Sequence, residues 1–389
     1  MISCDDIIYL DNNASTAIDP AVLEATQPFL GKYFANPSSG YRFAAQVRDA
    51  IEQARAQVAA LLGCDASEII FTSGGTESNN TAIHSALASR PDGKHIVTTA
   101  VEHSAVRNPA QHLEERGYDV TYLKVDRSGR ISLRELADAI RLDTALVSIM
   151  WANNETGVVF PMDAIADITH DKGVPLHTDA VQAAGKISLN LRQTPLQFLS
   201  ISGHKLHAQK GVGALYVNRR ARFQPLIRGG SHENNRRGGT ENAAAIVGLG
   251  KAAELALASL NEEQTRVRAQ RDRFEKALLE SVPGTRINGT DASRLPNTSS
   301  LMFDGIESEA ALLMLDQENL CCSAGSACRT GSLKPSHVLS AMGLVNDEAR
   351  ASLRFSFGRF NTETELDRAL EIVPRVIGKL RALSPVVVS

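Results

Sequence analysis

The sequence predicts an α/β fold built on a mostly parallel sheet, and three observations lead to it. Seven short β-rich runs, at residues 69–72, 95–99, 120–123, 145–151, 174–178, 198–202 and 212–217, are separated by helical stretches. Strands that alternate with helices assemble into a parallel sheet covered on both faces. The chain of 389 residues is longer than one ordinary hydrophobic core supports, so at least two domains are expected. Beyond Pro283 the order changes to strand, helix, a loop of small residues, strand and final helix, which suits a smaller α+β domain.

Taken in order, residues 44–62 carry Val47, Ile51, Ala54, Val58 and Leu61 at three- and four-residue steps with Gly63 behind them, the pattern of an amphipathic helix and its terminator. The seven β-rich runs follow. Residues 243–281 then read as long and helical, with Leu255, Leu260, Val267, Phe274 and Leu278 at apolar positions, and form the expected bridge between domains. Near residues 300–303 a strand is expected, then a helix over 308–315 and a strand over 352–357. No internal repeat or low-complexity tract interrupts the series.

Composition removes several classes of function. Hydrophobic residues at 43% and charged residues at 22% are ordinary globular values, so no disordered segment is expected. A net charge of −3 provides no field for nucleic acid or an anionic membrane. The first residues, Met1 to Asp6, carry acids where a secretory leader carries bases, and no apolar run reaches the roughly 18 residues that cross a bilayer. A cytoplasmic protein acting on small molecules and proteins is the expectation. Cysteines at 4, 64, 321, 322 and 328 are odd in number, which argues against a disulfide framework and leaves a thiol for chemistry. Neither a CxxC pair nor HExxH occurs.

Several segments bear chemistry. Residues 69–80 run from a strand through Gly74-Gly75-Thr76 into a helix start, where backbone N–H groups bind phosphate; a plain strand-to-helix turn is the alternative. The run 198–207 carries an apolar strand directly into Ser202, His204 and Lys205. A lysine there can be desolvated, lose its proton and form a Schiff base, although most loop lysines are simply solvated. Asp179 ends the strand 174–178, where strand ends converge on a ligand crevice; a carboxylate there can keep a pyridine nitrogen protonated, or cap a helix. His103 follows another strand end, and Asn153-Asn154 follow Trp151; core packing and a polar turn are their alternatives. In residues 352–356 Arg354 shares a face with Ser352 and Ser356, from which its guanidinium can grip a carboxylate or sit solvated. Residues 236–242 add Thr240 ahead of the long helix as an anion contact or a cap. The loop 321–332, rich in Gly, Ser and Ala, carries Cys321, Cys322 and Cys328. A thiol on such a loop is accessible to react, and Cys321 and Cys322 adjoin Leu320 as small apolar groups.

Together the motifs FTSGGTES, WANNETG, HTDAVQ, SGHKLH, RRGGTEN, SAGSAC and RFS, in this order, resemble the cysteine desulfurases of the class V aminotransferase group, along essentially the whole chain from Tyr9-Leu10-Asp11-Asn12-Asn13 onward. The wording of HTDAVQAAGK, SGHKLHAQKGVGALY and GSACRTGSLKPSHV is similar to the nitrogen-fixation, NifS-like branch. The resemblance implies the type I pyridoxal-phosphate fold: a large cofactor domain over residues 15–255 with a mostly parallel seven-stranded sheet, and a small domain from residues 1–14 and 256–389. It implies pyridoxal 5'-phosphate on Lys205, with Asp179 at the ring nitrogen, Gln182 at the ring hydroxyl and His103 stacked on the ring. Gly75, Thr76, Ser202 and His204 would hold the phosphate, Thr240 reaching across from the other subunit of a homodimer. Asn154 and Arg354 would bind the substrate, L-cysteine, with Asn154 also touching the cofactor. Cys328 would receive the sulfur as a persulfide, release alanine, and pass the sulfur to an acceptor such as an iron–sulfur scaffold protein serving nitrogenase; a transient iron–sulfur ligand is the one metal role left to Cys328. Gln209, Ala324 and Arg329 depart from common family residues. Two other readings stay open: a transaminase or lyase that uses Lys205 without Cys328, and a non-catalytic iron–sulfur scaffold on Cys321, Cys322 and Cys328.

Overall fold

The structure is a computed structural model that describes residues 6–324 and 335–383; Cys328 and most of its loop lie outside them. Twelve strands form three sheets. In chain order they are β1 (Ile8–Tyr9), β2 (Ile69–Thr72), β3 (His95–Thr99), β4 (Asp119–Leu123), β5 (Thr144–Ser148), β6 (Leu176–Asp179), β7 (Phe198–Ser202), β8 (Gly213–Val217), β9 (Thr285–Ile287), β10 (Thr298–Phe303), β11 (Leu320–Cys321) and β12 (Ser352–Ser356). The large sheet has seven strands in the order β2-β8-β7-β6-β5-β3-β4. Strands β3 to β7 pair in parallel, and β8 alone runs against its neighbours β2 and β7. The expected mostly parallel seven-stranded sheet is therefore present, and most of its strands were legible because they are short β-rich runs buried on both faces, the half-exposed edge strand β4 excepted.

Both faces are covered. Ile69, Phe71, Val147, Leu199, Ile201 and Tyr216 point into the larger core, whereas Ile70, Leu146, Phe198, Leu215 and Val217 point into a smaller one on the opposite side. Adjacent residues on one strand thus serve opposite layers, as the pleat requires. Helix Arg42–Leu62 buries Val47, Ile51, Ala54, Val58 and Leu61, the five positions expected, and ends at Gly63 in the left-handed conformation (φ 65°). A third core gathers Ile8, Leu10, Val267, Phe274, Phe303, Leu353, Phe355, Phe357 and Val373, and is lined by the antiparallel sheet β12-β10-β9.

Several boundaries shift by one or two residues from the sequence expectation, and three elements differ as follows. The run 145–151 is a regular strand only to Ser148, yet Ile149 and Trp151 still donate to His177 and Asp179 carbonyls at 3.1 and 2.9 Å. Their extended course follows β6 past the end of the ladder. The run 174–178 begins as a strand only at Leu176 and extends to Asp179. The long helical stretch is broken at Ser259 into Ala243–Ala258 and a second segment from Leu260, bent by 54°, with a π-turn at Glu263–Val267. No single helix among the described residues is long and apolar enough to cross a membrane.

Candidate active site at the sheet edge

Because β3, β5, β6 and β7 are parallel, their C-terminal ends lie on one edge, and β2, two reversals away from β7, ends there too. That edge is where ligands bind in open α/β sheets. It carries His103 after β3, Asn153 and Asn154 after β5, Asp179 at the end of β6, Ser202 to Lys205 at the end of β7, and Gly74-Gly75 after β2.

The two-glycine turn is packed too tightly for side chains. Gly74 has φ 147°, and a Cβ on Gly75 would stand 2.8 Å from Cγ2 of Val181 and 3.6 Å from Cβ of Ser202. Between β2 and β7 lies Gly213, where a Cβ would meet Cα of Gly74 at 2.7 Å. Three glycines thereby bring Ser202 against the start of helix Gly75–Ser89, whose first N–H groups have no carbonyl one turn back. The hydroxyls of Thr72 and Ser78 bond each other at 2.8 Å and brace the turn. The result is an anion cradle of backbone N–H groups and a serine at a helix N-terminus.

Asp179 is buried. Its Oδ2 accepts from the Asn79 side-chain amide at 2.7 Å and its Oδ1 from the Val181 N–H at 3.0 Å. Lys205 Nζ donates to the carbonyls of Asn13 and Ala14 at 2.5 and 2.6 Å. Burial, reinforced by the positive charges of Arg354 and Lys186 and opposed by Asp11 and Asp179, lowers its amine to about 7. A good fraction is therefore an uncharged nucleophile at neutral pH. His103 caps the following helix, its Nδ1 accepting from Ala105 N–H at 3.1 Å. Burial lowers its pKa, Asp179 opposing and the Lys205 and His337 charges adding to the fall. His204 is pushed down to about 4 by burial and the charges of Lys205 and Lys210, and its Nδ1 meets Ser15 Oγ at 3.3 Å.

Gln182 reaches the Asn13 carbonyl through Nε2 at 3.0 Å. Arg354 is buried rather than solvated, although β12 is an edge strand. Its two terminal nitrogens donate to the Asn154 carbonyl at 2.9 Å and to Asp11 Oδ1 at 2.7 Å, and its Nε has no partner among the described residues. Asn154 is held through its backbone; its side chain takes no part in these bonds. Thr240 is exposed, in a loop that Arg237 ties to Glu77 at 3.0 Å on the helix of the glycine turn.

Sequence reasoning missed three participants. Asn13 joins both halves of the site: its side chain bonds Thr298, Asn297 and the Asn154 carbonyl, and its own carbonyl accepts from Gln182 and Lys205. The polar run Asp11-Asn12-Asn13 behind an apolar pair was the signal available. Glu102 is fully buried, and its Oε1 accepts from Thr99 at 2.8 Å and Met150 N–H at 3.0 Å. Burial raises it to about 8. Glu155, also buried, accepts from Ser336 Oγ at 2.5 Å. Nothing local in the sequence marks either glutamate as buried.

The described thiols are all poor nucleophiles. Burial raises Cys64 to about 12 and raises Cys321 and, more strongly, Cys322; Cys322 packs against the third core. No group of three or more His, Cys, Asp or Glu side chains suited to a metal exists among the described residues.

Known proteins resemble the chain along nearly its whole length. The family described as Aminotransferase class-V matches residues 8–369. "Cysteine desulfurase 2" of Trichormus variabilis is 53% identical over 97% of this chain and 95% of its own length, and "Cysteine desulfurase NifS" of Azotobacter vinelandii is 48% identical over 97% and 94%. A solved structure titled "NIFS-LIKE PROTEIN" superposes with a TM-score of 0.90 at 34% identity, covering 96% of this chain and all of that one. With the sheet order, the lysine at the end of β7 and these matches in agreement, the chain belongs to the class V aminotransferase family.

Proposed function

We propose that the protein is a cysteine desulfurase that moves the sulfur of L-cysteine onto Cys328 as a persulfide and releases L-alanine, with pyridoxal 5'-phosphate bound at Lys205. The observation that carries the reading is the half-buried Lys205 amine, lowered to about 7, set at one sheet edge with the buried Asp179 carboxylate and the glycine turn. The residues fit the cofactor. An amine suits its aldehyde, a buried carboxylate its pyridine nitrogen, and a Cβ-free helix start with Ser202 beside it its phosphate. The similarity to chains named cysteine desulfurase supports the substrate.

When bound, pyridoxal phosphate supplies an electron-withdrawing ring that stabilises negative charge on the substrate's Cα. The chain's own groups do the rest. Asp179, fixed by Asn79 and the Val181 N–H, keeps a proton on the ring nitrogen. Gly75, Thr76, Ser202 and His204 would hold the phosphate, Gln182 would meet the ring hydroxyl, and His103 would lie against the ring. Arg354, with Nε still open, binds the substrate carboxylate beside Asn154. With the cofactor in place Lys205, as a neutral amine, would remove the proton from the substrate's Cα. The Cys328 thiolate attacks the substrate sulfur; the new S–S bond forms as the C–S bond breaks, and its electron pair stays with the carbon skeleton that leaves, after protonation, as alanine.

The loop that bears Cys328 supports this role from both described ends. Ser323 pairs with Arg354 by backbone bonds of 3.0 and 2.6 Å, Ser336 bonds Glu155, and His337 Nε2 meets the Glu102 carbonyl at 2.9 Å. The reading assigns the cofactor to a large domain of residues 15–255 and the sulfur acceptor to a small domain of residues 1–14 and 256–389, with Val338, Leu339 and Met342 packed on the large core. It further assigns a cytoplasmic homodimer in which Thr240 serves the partner's phosphate, and delivery of the sulfur to an iron–sulfur scaffold protein, with nitrogenase as the user.

Cys328→Ala and Lys205→Ala test the proposal together. Alanine and sulfide formation from L-cysteine should fall at least about 100-fold in both. Cys328→Ala should keep the visible absorption of bound cofactor, and Lys205→Ala should lose the borohydride-reducible bond. A Cys328→Ala protein that turns over amino acids at the original rate would instead make this a transaminase or lyase.

A further inference from the structure

Beside Lys205 a small cavity of about 20 Å³ is lined by the polar residues Asn12, Lys186, Lys205, His207, Glu263 and Arg359 together with apolar ones such as Leu206 and Phe357. That volume holds about one water molecule. Lys186 is 7% exposed, and among the described residues the one hydrogen bond of its ammonium is to Gln182 Oε1 at 3.4 Å. It has no ion-pair partner within 4 Å among the described residues. Glu263 is also buried, begins the π-turn that follows the 54° bend, and leaves Oε2 without a partner. A buried ammonium this weakly paired is costly to keep, and π-turns are frequent at functional positions.

The geometry links this pair to the reacting amine. Lys186 Nζ meets Gln182 Oε1, Gln182 Nε2 donates to the Asn13 carbonyl, and that same carbonyl accepts from Lys205 Nζ. We propose that Lys186 is an electrostatic positioning residue for Lys205: it orients Gln182 and, as a retained ammonium across the cavity, favours the uncharged Lys205 amine, with Glu263 keeping the Lys186 proton in place. This deepens the reading of the same site and rests on Lys205 being its nucleophile.

The neighbouring charges agree in sign. Lys205 feels Arg354 and Lys186 as positive neighbours and Asp11 and Asp179 as negative ones, with His103 and His204 close by. Lys186 is opposed by Glu263, while His207, pushed down to about 4 by burial and by the charges of Arg359 and Lys186, adds no positive charge at neutral pH. Arg359 is itself paired with Asp19. Burial lowers both amines, Lys186 to about 8 and Lys205 to about 7, and lifts the Glu263 carboxyl to about 7 against the lowering effect of the Lys186 charge.

The test is the pH dependence of trace acetylation of each lysine in the full chain freed of cofactor, read by peptide mass spectrometry, with melting temperature as the check on folding. The midpoint, unlike the absolute rate, does not depend on reagent access. Lys186→Met and Lys186→Gln should each raise the Lys205 midpoint by about one pH unit, a roughly tenfold loss of free amine below the midpoint. Lys186→Arg should restore it to within about 0.3 unit, because the charge and not the hydrogen bond is the agent. An unshifted midpoint in a folded Lys186→Met or Lys186→Gln, or an Arg variant that shifts as far as they do, would overturn the proposal. In the unaltered protein Lys186 must titrate above Lys205, and the reverse order would overturn it even if no variant folds. Because no sulfur transfer is measured, failure here is separate from failure of the desulfurase reading.

Discussion

At the scale of single residues, one water-poor environment moves cations and acids in opposite directions. It pulls Lys205 down to about 7 and lowers His103, and it lifts Glu102 to about 8. Burial is the largest cause in each case, since low polarity disfavours whichever form is charged. For Glu102 the folded value lies above the unfolded one, near 4.5. Its contribution to stability is therefore complete below about 4.5 and is lost as pH rises through about 8. Glu102→Gln, which keeps the shape without the proton, should flatten the fall in melting temperature between pH 5 and 8. That fall corresponds to up to a few kcal/mol in the unaltered protein. A variant whose profile stays parallel to the original would show that Glu102 is already ionised when folded. The chemical residues were legible because their types and strand-end positions are local facts. Glu102, Glu155 and Asn13 were not, since burial leaves no trace in the neighbouring sequence, and neither do partners 48, 181 and 285 residues away such as Met150, Ser336 and Thr298.

Secondary-structure elements aim these residues. Gly75 tests the cradle: a Cβ there would press Val181, a β-branched side chain with few ways to yield. Gly75→Ala should weaken pyridoxal-phosphate binding about tenfold or more while melting within a few degrees of the original, measured by equilibrium titration of the cofactor-free chain. Unchanged affinity would remove the turn from the phosphate site. The strands β2, β3 and β7 were readable to the residue because each is a short run rich in β-branched or other apolar residues, IIFT, HIVTT and FLSIS, that ends in a polar residue. Strands β1, β9 and β11 were not. They are two or three residues long, and β1 pairs with β11 through Ile8–Leu320 and Tyr9–Cys321, some three hundred residues apart. The bend at Ser259 was equally hidden, for no glycine or proline stands there, and the Ser259 hydroxyl bonds back to Leu255 inside an apolar stretch.

Across the whole molecule, the N-terminal segment is the strap between the two halves of the site. Ile8 and Leu10 belong to the third core, and a few residues on, Asn13 accepts from Lys205 and Gln182 on the large sheet. Arg354, from the antiparallel sheet, crosses to Asn154. Substrate activation and sulfur collection are thus assigned to parts of the chain that meet at one edge, with the Cys328 loop fastened at Ser323 and Ser336 on either side. Burial raises the three described thiols, which leaves Cys4 and Cys328, both outside the described residues, as the other thiols of the chain, and the proposal takes Cys328 as the sulfur acceptor. The central claim is tested by incubating the full chain, loaded with pyridoxal phosphate, with L-cysteine in the absence of reductant and mapping every cysteine by peptide mass spectrometry. The expected result is one added sulfur atom on Cys328, none on Cys4, Cys64, Cys321 or Cys322, and none anywhere in Lys205→Ala. A Cys328 without added sulfur, or sulfur that appears equally in Lys205→Ala, would contradict the account.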